Sequence, residues 1–134
     1  MAATFKLEIA TPERMLVSSD ATKAQIPGEG GYLGILPGHA PLISALQPGE
    51  LSYEHDGHTL RMAVSWGFVE VLQTKVTVVV ETAEKSEEID VARAEKSRQR
   101  AEERLKKAAT DIDLARAQGS FQRSLARLQV TGRR

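Results

Sequence analysis

Near residue 86 the spacing of apolar side chains changes period, and that change divides the chain into two kinds of structure. Up to Thr82 the signals are those of strands. Phe5-Lys6-Leu7-Glu8-Ile9 alternates apolar and polar side chains strictly, as a strand with one buried face requires. Further short strands are expected at residues 15–17 and 20–26, then near 42–46, 50–55, 58–64, 66–72 and 75–81. Asp56-Gly57 marks a tight hairpin turn of the primed type, and Gln73-Thr74 occupies the same place in the next hairpin. The glycine-dense stretch from Pro27 to Pro41 reads as tight turns and bulges between strands. Many short strands with frequent turn signals predict a small β-sandwich or barrel over residues 1–86. Glu84 to Glu88 is a charged link to the C-terminal part.

Residues 87–134 carry helical grammar. Ile89-Asp90-Val91-Ala92-Arg93-Ala94 is repeated as Ile112-Asp113-Leu114-Ala115-Arg116-Ala117. A hydrophobic residue before an Asp and a helix-favouring run is how a helix start looks: the Asp caps free backbone N–H groups and the preceding Ile staples onto the next turn. Two helices are expected, at roughly 90–109 and 113–130, with Thr110 and Asp111 in the turn. On helical wheels Val91, Ala94, Ala101, Leu105 and Ala108 share one stripe; Leu114, Ala117, Phe121, Leu125 and Leu128 share another. A small-residue stripe facing a larger one suits an antiparallel hairpin. The fold class is therefore an all-β N-terminal sandwich followed by a C-terminal α-helical hairpin. The wheels put Arg93, Arg100, Arg104 and Lys107 on the back of the first helix, and Arg116, Arg123 and Arg127 on the back of the second. The seam has few large side chains, and helices this short are marginal alone, so the hairpin needs something to lie against.

The zero formal net charge conceals a split. Residues 1–89 carry 12 acids and 6 bases, and residues 90–134 carry 6 acids and 12 bases. A basic appendage on an acidic body points to an acidic partner. There is no cysteine, hence no disulfide or thiol chemistry. The start, Met1-Ala2-Ala3-Thr4, lacks the apolar core of a signal peptide, and Val76-Thr77-Val78-Val79-Val80 is far too short to span a bilayer. Membrane association is expected only through another protein. Gly28, Gly30, Gly31 and Gly34 are not followed by the Lys-Ser/Thr pair and helix of a phosphate loop. His55 and His58 flank the Asp56-Gly57 turn without the further ligands a metal needs. His39 has no nucleophile or acid placed for it. With no triad and no paired carboxylates, the chain is not expected to be an enzyme by itself, nor to need a metal or cofactor.

Three stretches resemble the epsilon subunit of the F-type ATP synthase. Leu33-Gly34-Ile35-Leu36-Pro37-Gly38-His39-Ala40-Pro41-Leu42 is similar to the family's most distinctive loop, and Gly67-Phe68-Val69-Glu70-Val71 to its next signature. Ile89-Asp90-Val91-Ala92-Arg93-Ala94 resembles the motif that nucleotide-binding epsilon subunits carry where the sandwich meets the helices. The resemblance implies a non-catalytic subunit of the rotating central stalk, which couples proton flow to ATP synthesis and restrains ATP hydrolysis through a mobile hairpin. It implies a peripheral place at the cytoplasmic face of the inner, or equivalent energy-transducing, membrane. The implied partners are the gamma subunit, the c subunits of the rotor ring and the catalytic beta subunits. Glu29, Tyr32 and His39 on the sandwich, and Arg93, Arg100, Arg104, Lys107 and Arg116 on the helices, are the implied contact residues. The family often has an acidic residue where this chain has Tyr32, with Glu29 nearby, so the resemblance carries no carboxylate to that position. Where a Gly-Gly pair commonly precedes Phe-x-Glu-Val, this chain has Trp66-Gly67.

In epsilon subunits that bind ATP as a regulatory ligand, the matching positions are Ile89, Asp90, Arg93 and Ala94, with Arg123 and Arg127 reaching phosphates from the second helix. Glu84 and Arg100 are weaker carry-overs. Arg123 and Arg127 are one helical turn apart, as a joint phosphate clamp requires. The second copy of the hexapeptide keeps another reading open, in which these letters are capping grammar and the arginines meet a protein partner. An alternative from a different class is a nucleic-acid-binding adaptor using the basic helices, against which stand the interleaved Glu95, Glu102 and Glu103 and a single tail aromatic, Phe121.

Overall fold

The computed structural model describes residues 3–132; residues 1–2 and 133–134, at the two ends of the predicted domains, lie outside the described residues. The strands are β1 (Phe5–Ala10), β2 (Met15–Ala21), β3 (Lys23–Gly28), β4 (Gly31–Ile35), β5 (Leu42–Leu46), β6 (Gly49–His55), β7 (His58–Val64), β8 (Gly67–Val71), β9 (Lys75–Val80) and β10 (Ala83–Lys85). A single tight helical turn, Ser86–Glu88, leads into α1 (Val91–Lys107) and α2 (Asp111–Thr131).

The strands form one hydrogen-bonded path, β10-β7-β6-β3-β5-β8-β9-β1-β2, with β4 attached to β3. The path folds over at β3. Its first residues, Lys23–Gln25, pair with β6, whereas its last, Gly28, pairs with Leu46 of β5. On the far side Thr22 N–H donates to Glu54 O at 2.9 Å, tying the β2–β3 corner back to β6. Two layers result, and alternate residues point between them. Leu7, Ile9, Ile26, Leu51, Val69, Val71, Val76, Val78 and Val80 are the fully buried heart of that core, where each large aliphatic side chain contributes roughly 1.5–3 kcal/mol. Gly67 is obligatory at its place: a Cβ there would stand 1.9 Å from the carbonyl oxygen of Val79.

Several details depart from the expectations from sequence. The glycine-dense stretch is not only turns. Gly31–Ile35 is a strand hairpinned onto β3, with Gln25 opposite Gly34 and Ile26 opposite Leu33. Part of the charged link is a short strand, because Ala83–Lys85 completes the ladder beside β7. Asp56 (φ 50°) and Gly57 (φ 77°) form the primed turn, but Gln73-Thr74, closed by Leu72 N–H to Lys75 O at 2.8 Å, has no residue at positive φ. The first helix is shorter than expected, 91–107, and the second longer, 111–131, so that Asp111 lies inside it and not in the turn.

The two copies of the hexapeptide behave differently. Asp90 caps α1, its Oδ1 accepting from Arg93 N–H at 3.1 Å, and Ile89 is buried. In the second copy the cap is Thr110, whose hydroxyl accepts from Asp113 N–H at 3.1 Å, so Ile112 already lies inside the helix and is 68% exposed. Thr110 stands three residues before Asp113, the Ser/Thr-x-x-acid grammar of a capping box, and it outranks the Ile-Asp pair.

The seam predicted for α2 is also corrected. Its buried residues are Ala117, Gly119, Ser124, Ala126, Val130 and Thr131, while Leu114 and Leu125 are exposed. The physical reason is that α2 has two neighbours. It packs on α1 and also lies across β6 and β7, and it comes close to both through small side chains. Of the stripe predicted for α1, Ala94 and Ala101 are buried and Val91 is exposed. The hairpin is seated by a small second cluster, Ala63, Ile89, Ala94, Ala126 and Val130, with Leu128 beside it.

Candidate functional site

The cap at Asp90 fixes the rotation of α1, which sets Arg93, Ser97, Arg100 and Arg104 along one stripe at three- and four-residue steps. On α2, Ser120, Arg123, Ser124 and Arg127 form the matching stripe. The stripes face each other. Ser97, Arg100, Ala101 and Arg104 line one wall of a groove of about 280 Å³, and Ser120, Arg123, Ser124 and Arg127 line the other. Arg100, Arg104, Arg123 and Arg127 are therefore not on the backs of the helices, as the wheels had them; they converge between the helices. An adjoining depression of about 260 Å³ is lined by Glu84, Glu88, Ile89, Asp90, Arg93, Ala94, Ser97 and Arg127, and shares Ser97 and Arg127 with the groove. Between them these two hollows hold Ile89, Asp90, Arg93, Ala94, Arg123, Arg127, Glu84 and Arg100.

The charges in the groove are unevenly compensated. Nε of Arg127 donates to Oε1 of Glu84 at 2.5 Å. Arg123 donates from Nη2 to Ser120 Oγ at 3.2 Å, and Arg100 from Nη2 to Ser97 Oγ at 3.3 Å. Among the described residues, the Arg127–Glu84 contact is the one ion pair made by an arginine of the groove. Arg98, on a different face of α1, is turned to Glu95 and to Glu102, the latter at 2.8 Å. There the hydrogen bond from Arg98 holds the Glu95 carboxyl below the usual carboxylate range. Guanidinium groups brought together across a narrow groove repel, and an anion between them removes that repulsion while accepting planar, charge-assisted hydrogen bonds. What the groove offers chemically is positive charge with N–H and O–H donors, which suits holding a phosphate chain. Ser97 and Ser120 escaped the sequence reading, although each lies one turn from an arginine of the same stripe. Asp90 brings less than its place in the motif suggests, because its Oδ1 is committed to the cap.

The other residues singled out by sequence fall in two places. Arg104, Lys107 and Arg116 meet near the hairpin turn, around a hollow of about 350 Å³ that also touches Asp113 and Ser120. Glu29 is exposed on the β3–β4 turn. Tyr32, 52% exposed, accepts through its hydroxyl from Glu50 N–H at 3.2 Å. Nδ1 of His39 lies 2.8 Å from the carbonyl oxygen of Ala40, its own neighbour. His55 is engaged locally, with Nδ1 2.8 Å from Asp20 O and Nε2 3.2 Å from Asp56 Oδ2.

The outward face of one sheet is apolar in a way no strand pattern announced. Register places Ala45, Phe68, Val79, Ala10 and Met15 in one row across five strands. Phe68 and Met15 are about half exposed, and Ile43, two residues along β5 from Ala45, is 72% exposed.

Comparison with known proteins covers the chain almost end to end. Residues 4–86 match the family described as ATP synthase, Delta/Epsilon chain, beta-sandwich domain; residues 87–132 match the family described as ATP synthase, Delta/Epsilon chain, long alpha-helix domain. The chain is 57% identical to the ATP synthase epsilon chain of Koribacter versatilis over 105 residues, 78% of this chain and 74% of that one. It is 54% identical to the ATP synthase epsilon chain of Pelotomaculum thermopropionicum over 129 residues, 96% of each. In fold it is similar to a chain in the Euglena gracilis mitochondrial ATP synthase OSCP/F1/c-ring structure, with a TM-score of 0.84 at 22% identity over 95% of this chain and 80% of that one.

Proposed function

The chain belongs to the ATP synthase delta/epsilon-chain family, as an epsilon chain, and from that premise we propose that it is a non-catalytic central-stalk subunit whose helical hairpin binds ATP and restrains ATP hydrolysis. The observation that carries the regulatory part is the convergence of Arg100, Arg123 and Arg127 with Asp90 and Arg93 in two hollows that share a wall. A nucleotide laid across them would set its phosphates among the arginines of the groove and its nucleoside toward the Ile89–Ala94 turn. ATP acts there as a regulatory ligand and not as a reactant, since the groove supplies donors and charge.

The rest of the proposal concerns the assembly. The sandwich docks on the gamma subunit and on the c subunits of the rotor ring, so that the subunit turns with the proton-driven rotor and couples proton flow to ATP synthesis. Its open apolar row from Ala45 to Met15, with Ile43 beside it, supports a protein-covered face. Glu29 on the β3–β4 turn, Tyr32 in β4 and His39 between β4 and β5 are the further contact residues of this proposal. The basic turn region of the hairpin, Arg104, Lys107 and Arg116, meets acidic segments of the catalytic beta subunits when the hairpin leaves its seat. No helix among the described residues is long and apolar enough to cross a membrane. Attachment at the cytoplasmic face of the energy-transducing membrane is then through the other subunits. The nucleic-acid adaptor is not favoured, because Arg100, Arg104, Arg123 and Arg127 line a groove between the helices and Glu95, Glu102 and Glu103 interleave with the cations of α1.

Two measurements test this. A chain ending after Glu88, reconstituted into the complex, is expected to raise ATP hydrolysis; unchanged hydrolysis under all conditions overturns the inhibitory role. Calorimetric titration of the full chain with ATP is expected to show one site, lost in Arg123→Ala and Arg127→Ala. Binding that survives both substitutions overturns the site.

A further inference from the structure

Trp66 projects from a point where the backbone has little freedom. On one side Gly67 runs against β9, where a Cβ would meet Val79 O at 1.9 Å. On the other side Ser65 is buried, and its hydroxyl accepts from Thr82 N–H at 2.9 Å. Trp66 itself lends its carbonyl to Glu81 N–H at 2.9 Å. Held on both flanks, the indole reaches α2 and meets Gly119. A Cβ at Gly119 would lie 2.9 Å from Cη2 of the ring, so the edge of the indole fills the notch that the glycine leaves. Glycine inside a helix is a standing cost relative to alanine, and the indole is what it makes room for. One turn further along, the guanidinium carbon of Arg123 stands 5.4 Å from the centroid of the same ring.

This second contact matters because of what it leaves unused. The attraction of a guanidinium to an aromatic face needs no hydrogen-bond acceptor, so this contact ties up no carboxylate or carbonyl partner of Arg123. Arg127 is held differently: Glu84 takes its Nε donor. Arg123 lines the groove with one Nη2 bond to Ser120 and its other donors available to an anion.

We infer that Trp66 is a positioning residue, seating α2 on the sandwich through the Gly119 notch and fixing Arg123 for an anion in the groove. Anion binding and hairpin seating then reinforce each other, since both depend on where Arg123 and its helix lie. The ligand half rests on the proposed binding of ATP; the seating half stands on the Gly119 contact alone.

The test uses the full chain with Trp66→Leu, Trp66→Phe and Gly119→Ala, read by calorimetry with ATP and with tripolyphosphate, and by hydrogen exchange along α2 without ligand. Trp66→Leu is expected to weaken both ligands about three- to tenfold, the range of one cation–π contact, and to speed exchange in α2. Trp66→Phe, which keeps a ring face, restores most of the affinity. Gly119→Ala speeds exchange by pushing the indole from its notch. Unchanged affinity in Trp66→Leu overturns the positioning of Arg123, and unchanged exchange in both Trp66→Leu and Gly119→Ala overturns the seating role. If the unmodified chain binds neither ligand, the proposed ATP binding fails together with the ligand half of this inference, and exchange alone decides the seating half. Because Trp66 is the sole tryptophan, its fluorescence offers a direct readout. Tripolyphosphate should shift its emission in the unmodified chain and leave it unshifted in Arg123→Ala; a silent indole in a chain that binds the anion counts against the coupling.

Discussion

Nε of Arg127 donates to Oε1 of Glu84 at 2.5 Å, joining α2 to β10 across 43 residues of sequence. Both side chains are about one-third exposed, 28% and 34%, so solvent screening keeps the pair to on the order of 0.5–1 kcal/mol. Arg127 is also the cation common to the groove and the adjoining depression. Glu84 is thus an internal counter-ion standing where a phosphate would otherwise act.

Glu84→Gln frees Arg127 for the ligand. Calorimetry with ATP is expected to show binding tightened about two- to fivefold, the equivalent of the released pair. The unliganded hairpin should at the same time exchange its amides faster. Weaker ATP binding in the variant would instead make Glu84 a direct contact of the nucleotide.

The cap of α2 separates Thr110 from Asp113. Thr110→Ala is expected to cost about 1 kcal/mol in urea unfolding, and to do so equally at low and high salt, because it removes a hydrogen bond to Asp113 N–H. Asp113→Ala removes only a charge from the first turn, a few tenths of a kcal/mol that high salt erases. A salt-independent loss at Asp113 would return the cap to the second hexapeptide.

The Glu95–Arg98 contact sets a pH dependence on α1. The hydrogen bond from Arg98, aided by its charge, lowers the Glu95 pKa in the folded chain. Below the unfolded value, about 4.3 for a glutamate, the unfolded chain therefore binds more protons than the folded one, and stability rises with pH through that window. The contribution is fully present above the unfolded value and lost as pH falls through the folded one. An NMR titration should find Glu95 midpoint-shifted downward, and Arg98→Ala should return it to the ordinary range. An unshifted midpoint would mean the pair does not persist in solution.

The division into strands and helices was legible because Phe5, Leu7 and Ile9 alternate and Asp90 caps the first helix; the period of the apolar residues is itself the consequence of burial on one face. β4 was not legible, since Gly31 and Gly34 erase the alternation that marks a strand, and the segment is held by its pairing to β3. β10 failed for a related reason: Ala83, Glu84 and Lys85 show no strand pattern and are recruited by the edge of β7. A helical wheel sees one stripe, so it misjudged α2, which buries small residues against two neighbours and leaves Leu114 and Leu125 outside. Of the candidate site, the arginines were legible from the motif and the one-turn spacing of Arg123 and Arg127, while Ser97 and Ser120 were not. Their inward convergence was not, because it depends on how α1 and α2 rotate against each other, and no single-helix pattern contains that rotation.

The narrow side chains where α2 meets its neighbours, Ala117, Gly119, Ser124 and Ala126, have a consequence for a part proposed to leave its seat. Apart from Val130, Leu128 and the Trp66 indole, this contact is made by methyls, hydroxyls and bare backbone, so parting it uncovers less oily area than a leucine seam of the same length. The newly bared surfaces also give stray chains little to adhere to. A hairpin stitched by leucines would hold harder, and each time it opened it would be sticky.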